Sequence, residues 1–446
     1  MKALLIGTYE MGRQPFGLAS PAAWLRDAGW TVSCLDLSRE RFDPVLAAHA
    51  DVVGVYLPMH TATRLAAPVV AAVRGARPDA RLCAFGLYAP LNADWLRSLG
   101  VDAVFGGEFE ADLVEWAGNP AGYVPGTTEP ATLPRLRFLV PDRTTLPPPA
   151  QYATLQLPDG TRRHVGYVEA SRGCRHLCRH CPVVNVYGGQ FRIVQPEVVL
   201  ADIAQQVEAG ARHITFGDPD FLNGPAHALR IVEALHAAHA TVSYDVTVKV
   251  EHLLRHRDLL PRLRGTGCLF ITSAVESIDD AVLERLDKGH TRQGFFDALE
   301  ACRAAGVMLA PTFVAFHPWT TLESYCELLD TLDVLDLVEQ VAPIQLAIRL
   351  LVPRGSRLLE LEDMRRVLGD FDPATLTWRW THPDPRVDDL QRELADLVGV
   401  HRAGARGVLF DEIRRRAYDR AGRRDVASKP VRDRATVPYL NEPWYC

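Results

Sequence analysis

Three cysteines, Cys174, Cys178 and Cys181, stand within eight residues, directly after an apolar run that opens a repeating strand–helix pattern. That run, His164–Glu169, is followed by further strand candidates at His213–Phe216, Thr241–Val248, Cys268–Val275, Val307–Phe316 and Ile344–Leu351. Helical patterns separate them, among them Pro196–Ala209, Ala226–His239, Glu251–Leu263 and Leu322–Leu337. Six β/α units are fewer than the eight of a closed barrel, so residues 165–360 read as a partial, open-sided (β/α)6 barrel. Its working face lies where strands end and loops begin, and the cysteines fall on that face.

The stretch 1–119 alternates strands and helices as well. Lys2–Gly7, Trp30–Leu35, Val52–Leu57, Arg81–Phe85 and Ala103–Phe105 are its strand candidates, and Ala22–Ala28 reads as a helix closed by Gly29. This is the pattern of a Rossmann-like, doubly wound parallel sheet. Residues 120–164 read as a proline-punctuated linker, ending in Pro147-Pro148-Pro149. Residues 361–446 form a mainly helical C-terminal extension with a cysteine at its end. Its arginine-rich part, interleaved with acids, reads as a solvated helical face. The fold class is α/β.

Composition excludes several classes. Hydrophobic residues make up 48% and charged residues 23% of 446, an ordinary globular balance. A net charge of −6 and the lack of a basic appended domain argue against nucleic acid as a partner. The longest apolar stretch, Ala304 to Phe316, is broken by Pro311 and too short to span a bilayer. With no signal peptide in view, a cytoplasmic location is expected. Nine cysteines in such a chain point to metal rather than disulfides.

The spacing CxxxCxxC suits one soft metal centre. Three cysteines on a 4Fe–4S cluster leave one iron free to bind a ligand. Arg172, Arg175 and Arg179 are expected to lower the thiol pKa values. The rival reading is a closed zinc site completed by His176 or His180, which would make the chain a zinc-stabilised, non-catalytic binding protein.

The segment Ser171-Arg172-Gly173-Cys174 through Cys178-Arg179-His180-Cys181-Pro182 resembles the radical SAM superfamily, in the group whose barrel follows a cobalamin-binding-like domain. The resemblance implies a 4Fe–4S cluster on Cys174, Cys178 and Cys181, with S-adenosylmethionine on the open iron. It further implies reductive cleavage of that cofactor, followed by radical modification of a small molecule or transfer of a SAM-derived group. A reducing donor such as flavodoxin or ferredoxin is the implied partner. Cofactor-binding residues implied by position are His180, Gly217, Asp218, Asp220, Lys249, Glu276 and Ser277, at the ends of the second, third and fourth strands and in the cysteine loop. Lys288-Gly289-His290-Thr291 resembles a loop common in the group, whereas Val314–Thr320 departs from the family's glycine-rich loop.

The front domain resembles the cobalamin-binding fold at Leu57–Thr61, Gly86–Ala89 and Gly106-Gly107-Glu108-Phe109-Glu110. The family's cobalt-ligating histidine belongs to an Asp-x-His-x-x-Gly loop; here Thr8–Gly17 holds no histidine. A scaffold and substrate wall is therefore expected, with a cobalamin-dependent methyltransferase as the alternative and His60 as the nearest substitute ligand. Finally, the ending Trp444-Tyr445-Cys446 resembles a radical SAM subgroup with a Cys-Cys or Cys-selenocysteine pair before Ala-Glu-Pro. That resemblance implies a chain stopped at a selenocysteine codon and a catalytic role for Cys446.

Overall fold

The computed structural model describes residues 1–119, 135–400 and 406–424, and the backbone of 439–440. In the front part, β1 (Lys2–Gly7), β2 (Thr31–Asp36), β3 (Val52–Tyr56), β4 (Arg81–Phe85) and β5 (Ala103–Phe105) form a parallel sheet in the order β2-β1-β3-β4-β5. Every residue of β3 is buried, as expected for a strand covered on both faces. Helices Phe16–Asp27 and Phe109–Gly118 cover one face, and Pro44–His49 and Ala66–Ala76 the other. The strand order reverses between β1 and β3, so the crevice at their carboxyl ends is where such a sheet takes ligands. The first helix starts six residues earlier than its sequence suggests, at Phe16 rather than Ala22. Phe16, Leu18 and Ala19 are buried, and their packing carries the helix through Pro21.

The second sheet contains β6 (Thr154–Gln156), β7 (Arg162–Val168), β10 (His213–Phe216), β11 (Ser243–Thr247), β12 (Cys268–Glu276) and β13 (Met308–Phe313). A small ribbon of β8 (Ser171–Gly173) and β9 (Phe191–Ile193) interrupts the chain order. β7 and β10–β13 run parallel and curl into a half-barrel. The predicted sixth strand at Ile344–Leu351 is reduced. Pro343 starts a 3-10 turn to Leu346, and only one bridge, Phe316 to Arg349, remains of the pairing. The helix expected over Glu251–Leu263 is likewise split at Arg257–Leu259.

The proline-rich segment is more than a spacer. β6 lies within it, antiparallel to β7, and Tyr439–Leu440 pairs antiparallel with β6 on the outer edge. Arg143 is buried and donates to Asp202 of the half-barrel at 2.7 Å and to Gln14 of the front part at 2.5 Å. The later residues add a hairpin, Leu368–Asp372 with Thr377–Trp380, and helices Pro385–Val400 and Arg406–Ala421. Arg415, Arg416 and Arg420 pair with acids on the helix surface, as the solvated-face reading expects. Arg414 instead is buried and bonds Asp330 and Asp333.

Candidate active site at the half-barrel face

The cysteine loop follows β8 and is held by geometry only glycine and proline supply. Gly173 has φ +76°, and a Cβ there would lie 2.5 Å from the Gln190 carbonyl oxygen. Pro182 opens the helix Pro182–Tyr187, with Cys181 as its N-terminal cap. Cys178 is buried; Cys174 and Cys181 are half-buried. Burial pushes the Cys174 thiol up, and burial with the neighbouring Cys178 pushes Cys181 up to about 12. Metal binding there has to displace protons.

The three arginines of the loop do not do what their sequence position suggests. Arg172 is buried and turns to the front part, Arg175 lies 4.6 Å over the Phe191 ring, and Arg179 donates to the carbonyls of Glu284 and Arg285. The cation beside the thiols is Lys288. It is buried, and the Glu276 carboxylate 3.3 Å away holds its ammonium charged against the cost of burial. Only four lysines occur in the chain, and that scarcity is the signal by which Lys288 could have been singled out.

The strand ends converge on this loop. At β12, Glu276 adopts φ +69° and is held at 3.1 Å by His180 Nε2 and at 3.3 Å by Lys288 Nζ. Burial would raise its carboxyl, but Lys288 and then His180 outweigh it and lower the pKa to about 2. Ser277 accepts from the Asp279 amide. At β10, Gly217 leaves no room for a side chain: a Cβ would meet the Tyr167 hydroxyl at 1.9 Å. Asp218 accepts from the Ala170 amide at 3.0 Å and from Ser171 Oγ at 2.5 Å, so it braces the start of the cysteine loop. Asp220 faces His176 at 3.5 Å and His252 at 2.7 Å, and these two histidines hold its carboxyl down against burial. Past β11, Lys249 is buried with Glu251 at 3.7 Å.

Several buried polar atoms around this face have no hydrogen-bond partner: His180 Nδ1, both ring nitrogens of His290 and Asn223 Nδ2. Such atoms are costly unless a ligand meets them. Beside Glu276 and Ser277, a cavity of about 250 Å³ extends along Val314, His317 and Thr320. Burial lowers the His317 pKa to about 3, which leaves its ring neutral. Sequence reasoning singled out neither His290, His252 nor His317 as site residues. Cys174, His176 and Asp220 place one ligand atom each within 4.8 Å of one another. Cys446 lies outside the described residues.

The carboxyl ends of β1 and β3 face the half-barrel across a cavity of about 200 Å³, lined by Glu10, Tyr56, Tyr167 and Glu169 among others. His60 is not free to act as a ligand through Nε2, which bonds the Thr375 carbonyl at 2.6 Å.

Comparison with known proteins bears on this geometry. The sequence profile of the radical SAM superfamily matches residues 168–333. Hopanoid C-3 methylase of Methylococcus capsulatus is 26% identical over 160 residues, covering 36% of this chain and 30% of that protein. The tRNA-2-methylthio-N(6)-dimethylallyladenosine synthase of Desulfosudis oleivorans is 29% identical over 206 residues, covering 42% and 40%. The chain thus spans well under half the length of these curated relatives. Among solved structures, the cobalamin-dependent S-adenosylmethionine radical enzyme OxsB, with aqua-cobalamin and S-adenosylmethionine bound, superposes with a TM-score of 0.70. The identity is 13%, over 94% of this chain and 71% of that one. The radical S-adenosylmethionine methyltransferase TsrM of Kitasatospora setae gives 0.56 at 18% identity, over 75% and 71%. These likenesses establish the two-part architecture.

Proposed function

Residues 168–333 are a radical SAM domain, and from that premise we propose that the chain is a cytoplasmic enzyme that cleaves S-adenosylmethionine reductively and modifies a small molecule. The observation that carries the reading is three thiols on one glycine- and proline-shaped loop at the carboxyl face of a half-barrel, beside a buried ammonium. Cys174, Cys178 and Cys181 would hold a 4Fe–4S cluster, and the donor set fits: soft thiols, with Lys288 to offset negative charge. When bound, that cluster supplies one electron and an open iron for the sulfonium cofactor.

The chain's own residues then divide the remaining work. His180, Gly217, Asp220, Lys249, Glu276 and Ser277 would surround the cofactor, and their unpartnered neighbours His290 and Asn223 mark where its polar groups dock. Asp218 acts one step removed, by fixing Ala170 and Ser171. Flavodoxin or ferredoxin would supply the electron. Methyl and methylthio transfer fit the relatives' printed activities.

Cobalamin, bound in the OxsB and TsrM structures, stays the alternative at the front cavity, whose lining holds no histidine. The Tyr56 ring fills the crevice to within 2.0 Å of a Cβ built on Gly17. No step is assigned to cobalamin.

The test is anaerobic reconstitution with iron and sulfide, then reduction in the presence of S-adenosylmethionine. A brown protein that forms 5′-deoxyadenosine supports adenosyl-radical chemistry, and methylthioadenosine supports aminocarboxypropyl transfer. A colourless protein with one zinc favours the second reading, a zinc site on the three cysteines completed by His176 or His180; His176 has a ligand atom within 4.8 Å of that of Cys174.

A further inference from the structure

We propose that the cavity between the front sheet and the half-barrel binds a small aromatic ammonium compound, with Glu10 as the anchor for its charge. We identify this compound class as the substrate, a step that rests on the radical SAM reading above; the binding site itself does not.

The charge inventory of this region is unbalanced. Glu10, Glu108 and Glu110 are buried and Glu169 is partly buried; they are gathered with the guanidiniums of Arg13, Arg172 and Arg143, the last already paired with Asp202. Arg172 is consumed by its neighbours: it meets Glu110 at 2.6 Å and Glu169 at 2.8 Å, with Glu108 at 3.7 Å. Arg13 lies over the Tyr167 ring, 5.0 Å from its centroid. Glu10 is only 6% exposed, lines the cavity, and its Oε2 has no hydrogen-bond partner. A buried carboxylate with an idle oxygen is expensive unless it is protonated or meets a cation. Burial, with Glu169 nearby, does hold the Glu10 carboxyl well above its usual range.

The rest of the wall suits the remainder of such a ligand. Phe16, Tyr56, Phe109, Tyr167 and Tyr187 line the same space, and their ring faces attract organic cations. The size admits one ring and a short chain. The cavity also reaches Ser171, Arg172 and Gly173, which directly precede Cys174, so a ligand seated there lies beside the cysteine loop. An ammonium reaching Glu10 would meet its idle Oε2 as an ion-pair partner.

The experiment is calorimetry on the full-length reconstituted protein with three probes sharing one ring: phenethylamine, 2-phenylethanol and 3-phenylpropionate. The amine should bind about tenfold or more tighter than the alcohol, with the anion weakest. Glu10→Gln should remove the amine's advantage while alcohol binding persists, which certifies the fold. The proposal is overturned if the alcohol or the anion equals the amine, if no probe saturates, or if the preference survives in Glu10→Gln. Repeating the series on Cys178→Ala separates the two ideas. An amine preference in wild-type protein that forms no 5′-deoxyadenosine leaves the site standing and sinks the link to radical chemistry; wild-type turnover without amine binding sinks the site alone.

Discussion

The two parallel sheets present their carboxyl ends to each other, and they finish those ends differently. Around the cysteine loop, the half-barrel leaves polar atoms of His180, His290 and Asn223 idle. The front sheet fills its crevice with Tyr56, Phe85 and Phe109, whose rings pack 5.0–6.5 Å apart, and keeps one small acidic cavity. The topological rule for ligand placement applies equally to both. Side chains make the difference: one face leaves polar atoms idle beside three thiols, the other keeps a small acidic cavity walled by aromatic rings.

The harshest way to break this contrast is at the loop. Cys178→Ala should abolish iron incorporation and the brown colour, read by iron analysis and visible absorbance; retained iron at wild-type level would remove the basis for calling this face the cofactor side. Next in size is the seam between the two regions. Arg172→Ala strands Glu110, Glu108 and Glu169 without their cation and should cost about 3–5 kcal/mol in denaturant unfolding. A loss below about 1 kcal/mol would mean the front carboxylates are held by something else.

Filling the front crevice further should cost less. Gly17→Ala must push the Tyr56 ring aside, for about 1–3 kcal/mol, and pairing it with Tyr56→Leu should recover most of that. An additive double mutant would show that the ring has room to move. The smallest effect concerns pH. A carboxyl held at about 2 by Lys288 and His180 adds stability above its ordinary value of 4.5 and loses it as pH falls toward 2. Glu276→Gln should therefore be less stable than wild type at pH 6, by roughly 1–3 kcal/mol, and the gap should narrow by pH 3. A constant gap across that window would refute the charge argument.

Local periodicity carried most of the architecture. The alternation of β1 to β5 with helices, and of β7 to β13 with theirs, is visible residue by residue. What it missed depends on partners distant in sequence. Ile344–Leu351 has strand composition, yet Pro343 and a lone Phe316–Arg349 bridge leave it outside the sheet. Arg172 sits two residues from Cys174 and reads as a thiol neighbour, but its partner Glu110 is 62 positions away, a pairing that no local pattern encodes. The Gly-Gly-Glu-Phe-Glu segment was legible as a domain exit, not as the acid half of a buried cluster. Lys288 likewise becomes a thiol neighbour only once β12 and the loop after it fold back over Cys178 and Cys181.

The grip of Glu110 on Arg172 has a consequence for how such proteins diversify. The guanidinium belongs to the stretch that shapes the metal loop, and its anchor belongs to the neighbouring lobe. Grafting a foreign leading lobe onto this half-barrel would thus deform the loop unless the graft brought acids to the same two positions. The lobes are exchangeable only as a matched set, and inheritance would be expected to shuffle them together.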